Sequence, residues 1–406
     1  MQNDALQTDV FIAGGGPVGL MLALGLAQKG FEVVMAEPVP LADAPEQARN
    51  SFDGRVLALS YGSRKILESL GVWEALRAFV TPIEHVHVSQ KGYLGITLLH
   101  ADEVGVPALG YSVQSSDLGK VLWQAVQGLD KIKLLCPARL VDFSQDDRQV
   151  VAKLQAAEHE LTVLSKLIVG ADGTESLVRK VLGLEIQQKS YHAYGVIAQI
   201  TTREHPQGWS FERFTGEGPV ALLPMQGHAH KAVLVCPEEQ LDSVMALDDA
   251  AFMALFASKM GERLGGFCEV SPRVAYPLKE TYVPQMTQAR ALLMGNASHT
   301  QHPVAAQGLN LGIRDIGEFL QGLNAGQDPG EINYLQTYAS ARAEDHEKVM
   351  GLTDSLIQVF QHHSPLVGHL RGIGLMALQA MPGLKKRFAR FAMGGSEGGA
   401  SRGVPR

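Results

Sequence analysis

The ten residues Val10 to Gly19, V-F-I-A-G-G-G-P-V-G, constrain this chain more than any others. An apolar run passes directly into Gly14-x-Gly16-x-x-Gly19 and then into the helix-forming stretch Leu20 to Ala27. Glycines at these three places allow a tight turn, close approach of the backbone to a diphosphate, and close packing of helix on strand. An anion then rests on the helix N-terminus. Pro17 suits a first helical turn, and Leu20, Leu24 and Ala27 keep helical spacing to about Gln28. Glu37 follows the second apolar run, Phe31 to Met35, at the distance where a carboxylate accepts from an adenosine ribose hydroxyl. Residues 9 to 37 therefore read as the opening βαβ unit of an α/β, Rossmann-like domain that holds a dinucleotide through Gly14, Gly16, Gly19 and Glu37.

Two further turns follow apolar runs. Leu167 to Val169 leads into Gly170-Ala171-Asp172-Gly173, with Ser176 and Arg179 just beyond. Ala291 to Met294 leads into Gly295-Asn296-Ala297-Ser298-His299, continuing to Pro303, Gln307, Gly308, Asn310, Gly312 and Asp315. Between these sites the pattern changes. Residues 85 to 99 alternate as a strand, a β-meander is expected from about Lys133 to Val169, and 185 to 280 are mostly strand-like. Helices are expected from about Ser63 to Leu70 and Ser116 to Val126, and the chain beyond the third site reads as helical to about Gly394.

With 406 residues, 46% of them apolar, the chain can build more than one domain. A net charge of -7 without a long basic block in the main body argues against nucleic acid as a partner. Cys136, Cys236 and Cys268 lack C-x-x-C spacing and read as reduced core thiols. His85-x-His87 and His228-x-His230 have no third ligand nearby, so no metal is expected. No run reaches the ~18 apolar residues of a membrane span, and no basic segment precedes a cleavable apolar stretch. The expectation is a cytoplasmic protein.

Together the three glycine-rich turns resemble those of the single-component FAD-dependent aromatic hydroxylases built like para-hydroxybenzoate hydroxylase, over residues 9 to 360. The resemblance implies that Gly14, Gly16, Gly19 and Glu37 hold the ADP part of FAD. Gly170, Asp172, Gly173, Ser176 and Arg179 match the family's middle motif, implicated in both FAD and nicotinamide contacts. Gly295, Ala297, His299 and Pro303 match the third, which sits against the ribityl chain and flavin ring. Asn296 stands where most members carry Asp, and Ser298 replaces Ala. An Asn carbonyl still accepts a ribityl hydroxyl, without the charge. That Asn, F-D-G-R at Phe52 to Arg55, F-E-R-F-T at Phe211 to Thr215 and G-P-V-A-L-L-P-M at Gly218 to Met225 resemble the ubiquinone-biosynthesis branch, and within it the 2-polyprenyl-6-methoxyphenol hydroxylase group.

The resemblance implies NAD(P)H as a transient reductant, since no second G-x-G-x-x-G follows a strand. It also implies a reduced flavin that traps O₂ as a hydroperoxide and a polyprenylated phenol that is hydroxylated on its ring. Arg55, His299 and Pro303 are the expected catalytic positions, with Gln307, Gly308 and Asn310 lining the flavin. Arg213 is a candidate to neutralise a phenolate, against the commoner fate of a β-edge ion pair; the sequence identifies no catalytic base. Alternatives are a hydroxylase of a small soluble aromatic, a flavin dehydrogenase, and a non-catalytic flavin-binding subunit of a ubiquinone-biosynthesis complex.

The expected division is a discontinuous FAD-binding domain (1–80, 100–184, 275–330), an inserted β-sheet substrate domain (81–99, 185–274), a C-terminal helical region (331–394) and a disordered tail (395–406). Leu366 to Phe391 pairs apolar residues with Lys385, Lys386, Arg387 and Arg390. Such a helix suits peripheral contact with the inner face of an anionic membrane and equally suits packing on the protein's own core.

Overall fold

The computed structural model describes residues 5–39, 55–157, 159–300, 307–361 and 365–394. Strands β1 (Val10–Ala13), β2 (Val33–Ala36), β6 (Ile132–Leu135), β7 (Leu167–Gly170) and β13 (Ala291–Leu293) form a parallel sheet ordered β13-β7-β1-β2-β6. A short antiparallel strand, Thr287–Gln288, lies on its β13 edge. Every residue of β1, β2, β7 and β13 is buried, as continuous apolar runs require in a sheet covered on both faces. Helix α1 (Pro17–Gln28) is sunk in the same core, where Phe11, Ile12, Leu20, Met21, Leu22 and Phe319 are fully enclosed.

The expected meander divides in two. Arg139–Gln145, Val150–Ala156 and His159–Ser165 form an antiparallel sheet closed by Leu6–Gln7. The runs on either side, β6 and β7, belong to the parallel sheet instead. Alternating burial in Val150–Ala156 against unbroken burial in β7 is the physical difference.

A second, larger sheet contains β4 (His85–Gln90), β5 (Ile96–His100), β8 (Gln187–Thr202), β9 (Trp209–Thr215), β10 (Gly218–Pro224), β11 (Ala229–Pro237), β12 (Val274–Tyr282) and β14 (His299–Thr300), ordered β14-β12-β8-β11-β10-β9-β4-β5. Strand alternation gives it two unlike faces. Val196, Phe211, Val220, Leu222, Ala232 and Leu234 pack with Phe252, Phe256 and Met260 of α2 (Asp249–Met260). The opposite face turns toward the first domain, where Lys231 Nζ donates to the Val56 carbonyl at the start of β3 (Val56–Ser60).

Only Met294 to Ser298 separate β13 from β14, so one short turn joins the two sheets. Beyond it run α3 (Gln307–Gly322), α4 (Ile332–Gln361), α5 (Pro365–Ala380) and α6 (Pro382–Ala392). Helix α5 lies along β5: Thr97 Oγ1 donates to the Leu375 carbonyl at 2.9 Å, and Leu98 N–H to Gln379 Oε1 at 2.8 Å. The cysteines are free, but Cys268 is exposed and so departs from the expected core placement. The expected tail, 395–406, lies outside the described residues.

Candidate functional site: three interlocked turns

The first turn is built for an anion. Gly16 caps α1 in an extended conformation with no side-chain cap, and no acidic residue occupies the first helical turn. The leading N–H groups of a long helix are thus left to a ligand, which fits a diphosphate. Gly14 has φ +105°, and a Cβ there would lie 2.4 Å from the Ala171 carbonyl oxygen. A Cβ on Gly19 would lie 2.1 Å from the Gly14 carbonyl oxygen. Glu37 accepts from Gly15 N–H at 2.6 Å through Oε2 and from Val39 N–H at 3.0 Å through Oε1. Burial pushes its carboxyl above the ordinary value, against the pull of these two bonds. Sequence spacing assigned Glu37 only a ligand-facing role; it also pins the turn.

The second turn locks onto the first and the third. Ala171 N–H donates to the Ala13 carbonyl, and Met294 N–H to that of Gly170. Asp172 Oδ2 accepts from Leu177 N–H at 2.7 Å and Val178 N–H at 3.2 Å, while its Oδ1 is buried without a partner among the described residues. Arg179 is buried and donates to the Thr174 carbonyl at 2.6 Å and the Ala297 carbonyl at 2.9 Å. Its guanidinium ties the two turns together.

At the third turn Asn296 is exposed, whereas Gly295, Ala297, Ser298 and His299 are buried. Ser298 Oγ sits 3.0 Å from the Gly295 carbonyl and 2.9 Å from His299 Nδ1, which gives the departure from Ala a structural role. His299 is buried and turns its ring toward Asp315 and His346. It is 1% exposed, and its ring lies 4.4 Å from the His346 ring at a tilt of 57°. Asp315 of α3 accepts from Gly295 N–H at 3.3 Å, from Arg342 Nε at 2.7 Å and from His346 Nε2 at 3.0 Å. Arg342 also donates to Asp345 at 2.5 Å. Burial alone would raise the Asp315 carboxyl, but Arg342 and the neighbouring rings hold it well below the usual carboxylate range. Burial pushes His299 down to about 3, so the ring is neutral at physiological pH. His299, Asp315 and His346 bring their ligand atoms within 4.8 Å of one another. The Arg342 cation already occupies the single carboxylate, so the group does not fit a metal ion.

The other expected positions scatter. Asn310 does not contribute an open side chain. It accepts from Ser60 N–H at 2.8 Å and Ser63 Oγ at 2.7 Å and donates to the Ala58 carbonyl at 2.9 Å, binding α3 to β3. A Cβ on Gly308 would meet open space. Arg55 lies over the Tyr276 ring at 5.2 Å, on the inward face of the large sheet. Arg213 is on the other face, donating to the Met260 carbonyl at 2.8 Å, so it cannot meet a ligand between the domains. Pro303, residues 52–54 and the Gln307 side chain lie outside the described residues.

The chain that carries these three turns matches a family model described as an FAD binding domain over residues 7–353. The chain belongs to that family. FAD is its cofactor, with NAD(P)H as the reductant typical of such monooxygenases. Among its relatives, ubiquinone hydroxylase UbiL of Rhodospirillum rubrum is 32% identical over 98% of this chain and 93% of its own length. The 3-demethoxyubiquinol 3-hydroxylase of Escherichia coli is 31% identical over 95% of this chain and 98% of its own. The crystal structure of p-nitrophenol 4-monooxygenase PnpA from Pseudomonas putida superposes with a TM-score of 0.78, covering 97% of this chain and all of that one. At 14% identity that likeness shows the fold alone. This family member is an FAD-dependent aromatic hydroxylase.

Sequence reasoning missed Arg342 and His346, which hold the third turn from α4. Their signal was present as Arg342, Asp345 and His346 at i, i+3 and i+4, a polar stripe on one helix face.

Proposed function

We propose that this flavoprotein adds one hydroxyl group to the ring of a polyprenylated phenol on the route to ubiquinone. The observation that carries the reading is the inward face of the large sheet. There Val88, Ala221, Leu223 and Val233 are only half-buried, on the face from which Lys231 reaches Val56, and Arg55 and Tyr276 lie on the same face farther across the sheet. An apolar wall with few polar groups suits an aromatic ring carrying a hydrocarbon tail. Bound FAD would supply oxygen activation, and the interlocked turns supply its placement: Gly14, Gly16, Gly19 and Glu37 for the adenosine diphosphate, Asp172 and Asn296 for the linking chain, and Gly295, Gly308 and the N-terminus of α3 for the ring side. The substrate domain then comprises 81–99 and 185–274, inserted into a discontinuous FAD domain.

Membrane contact belongs to this proposal with altered geometry. Lys385 is not available to lipid, being buried and paired with Glu103 at 2.7 Å. Phe388 and Ala389 join Leu99 and Leu109 in a small core, so α6 faces its own protein. Leu366, Leu370, Ile373 and Met376 of α5 are exposed at 69%, 57%, 55% and 45%, and this helix is the better membrane contact. No helix among the described residues is long and apolar enough to cross a membrane.

The decisive assay incubates the FAD-loaded protein with NAD(P)H, O₂ and a detergent-dispersed polyprenylated phenol, with mass spectrometry of the product. Gain of one oxygen with substrate-stimulated NAD(P)H oxidation supports the reading. Flavin reduction without an oxygenated product, or turnover of small soluble phenols only, overturns it.

A further inference from the structure

Resting on the phenol-hydroxylase reading, we propose that Glu212 is the catalytic base that takes the proton from the substrate phenol. The argument begins in β9. Phe211 and Arg213 face α2, in the core with Phe252 and through the Met260 carbonyl. Alternation therefore turns Glu212 to the inward face. Its register partners agree: Glu212 pairs with Val88 of β4 and Ala221 of β10, and Ala221 pairs with Val233 of β11. Lys231, two residues before Val233, reaches Val56, and Tyr276 on the same face lies under Arg55. Glu212 thus stands in the apolar wall assigned to the ring, on the face it shares with Lys231 and Tyr276.

The carboxyl has no ordinary structural occupation. No hydrogen bond or ion pair joins it to a described residue, yet it remains partly accessible in an otherwise enclosed setting. Burial pushes it up to about 7, where a base is half ionised at neutral pH and most useful for proton transfer. Neighbouring strands bring no charge to that face beside it: β4 supplies Val86 and Val88, and β10 supplies Pro219, Ala221 and Leu223. Farther along are Lys231, Tyr276 and Arg55. Helix α4, which touches β9 and β10, carries Glu347, Lys348 and Asp354 after His346, with Lys348 paired to Glu344. His87, Arg213 and Arg263 lie on the opposite face, around Phe211.

The step balances simply. The phenol O–H bond breaks, its proton forms a new O–H bond on Glu212, and the electron pair stays on the phenolate oxygen, enriching the ring for attack on activated oxygen. Nothing is oxidised or reduced in the transfer itself. Glu212 returns the proton to water after the product leaves.

Holoenzyme is tested with a short-chain soluble analogue of the phenol. In Glu212→Gln, FAD content and substrate affinity should be retained, while hydroxylation falls about 100-fold or more, the range of a lost general base. Glu212→Asp should recover part of the rate, and a phenol of lower pKa should recover most of it in the Gln variant. Wild-type enzyme gives an independent reading: its rate should fall as pH drops through about 7 at a position that does not move with the phenol's own pKa. An unchanged rate in Glu212→Gln, or a profile that tracks the phenol's pKa, overturns the proposal. If wild-type protein oxygenates no phenol at all, the phenol-hydroxylase reading fails first, and the assignment of Glu212 with it.

Discussion

Removing the Arg342 guanidinium should loosen the third cofactor turn from below. Asp315 and Arg342 have side chains 1% and 4% exposed and meet at 2.7 Å. Even at an effective dielectric constant near 20, unit charges about 4 Å apart attract by about 4 kcal/mol. Arg342→Met leaves the Asp315 carboxylate buried with only His346 and Gly295 N–H as hydrogen-bond donors, and stranding a buried charge costs about 3–5 kcal/mol. Asp315→Asn leaves the guanidinium its pair with Asp345, so its cost should be smaller than that of Arg342→Met. The double substitution removes both charges, so its cost should fall short of the sum of the singles by at least about 2 kcal/mol. Urea unfolding of the four proteins, followed by tryptophan fluorescence and by release of FAD, measures the cycle. Because Asp315 holds Gly295 N–H, FAD should leave at lower urea than global unfolding in both single variants. Additive costs, or FAD retention identical to wild type, would refute the claim that this buried pair supports the turn.

Gly19→Ala should yield protein with FAD affinity reduced at least tenfold, because its Cβ would press on the Gly14 carbonyl oxygen from 2.1 Å; absorbance of bound flavin after gel filtration reads this directly. His230 is fully buried, without a well-formed ring hydrogen bond to a described residue, and burial lowers it to about 4. The unfolded ring, near 6.5, binds the proton first, so stability falls as pH drops from about 6.5 toward 4, by about 2 kcal/mol between pH 7 and pH 5. His230→Leu should remove that part of the slope, and equal slopes in denaturation at the two pH values would contradict it. Leu370→Asp with Ile373→Asp on α5 should cut sedimentation with anionic vesicles at least tenfold, given about 1.5–3 kcal/mol for each apolar side chain withdrawn from water. Lys385→Gln should alter vesicle binding little, because that ammonium already belongs to Glu103.

The glycine turns were legible because their chemistry is local. A strand, a glycine at a forced place and a helix start are neighbours in sequence, and the sheet order follows from repeating the pattern. Glu212 was not legible. The phrase Phe211-Glu212-Arg213-Phe214 offers two charges on opposite faces, and only the packing of α2 decides which charge turns inward. Arg213 has the charge a phenolate needs but the wrong face. The burial of His299 was not legible either, because the network of Asp315, Arg342 and His346 around it is assembled from α3 and α4. Lys385 shows the same limit at the surface, since one acidic partner 282 positions earlier removes it from the solvent.

The order of strands in the parallel sheet also governs how this protein must be made. β1 and β2 emerge from the ribosome first, yet β7 joins β1 only after more than 150 residues, and β13 covers the free edge of β7 only once Ala291 has been synthesised. At about 5–20 residues per second, the 121 positions from Gly170 to Ala291 take on the order of ten seconds. Throughout that interval the apolar edge Leu167 to Val169 is an open template for strand pairing. Newly made chains should therefore depend on protection during translation until the last turn arrives, and the cofactor can enter only a chain that is nearly complete.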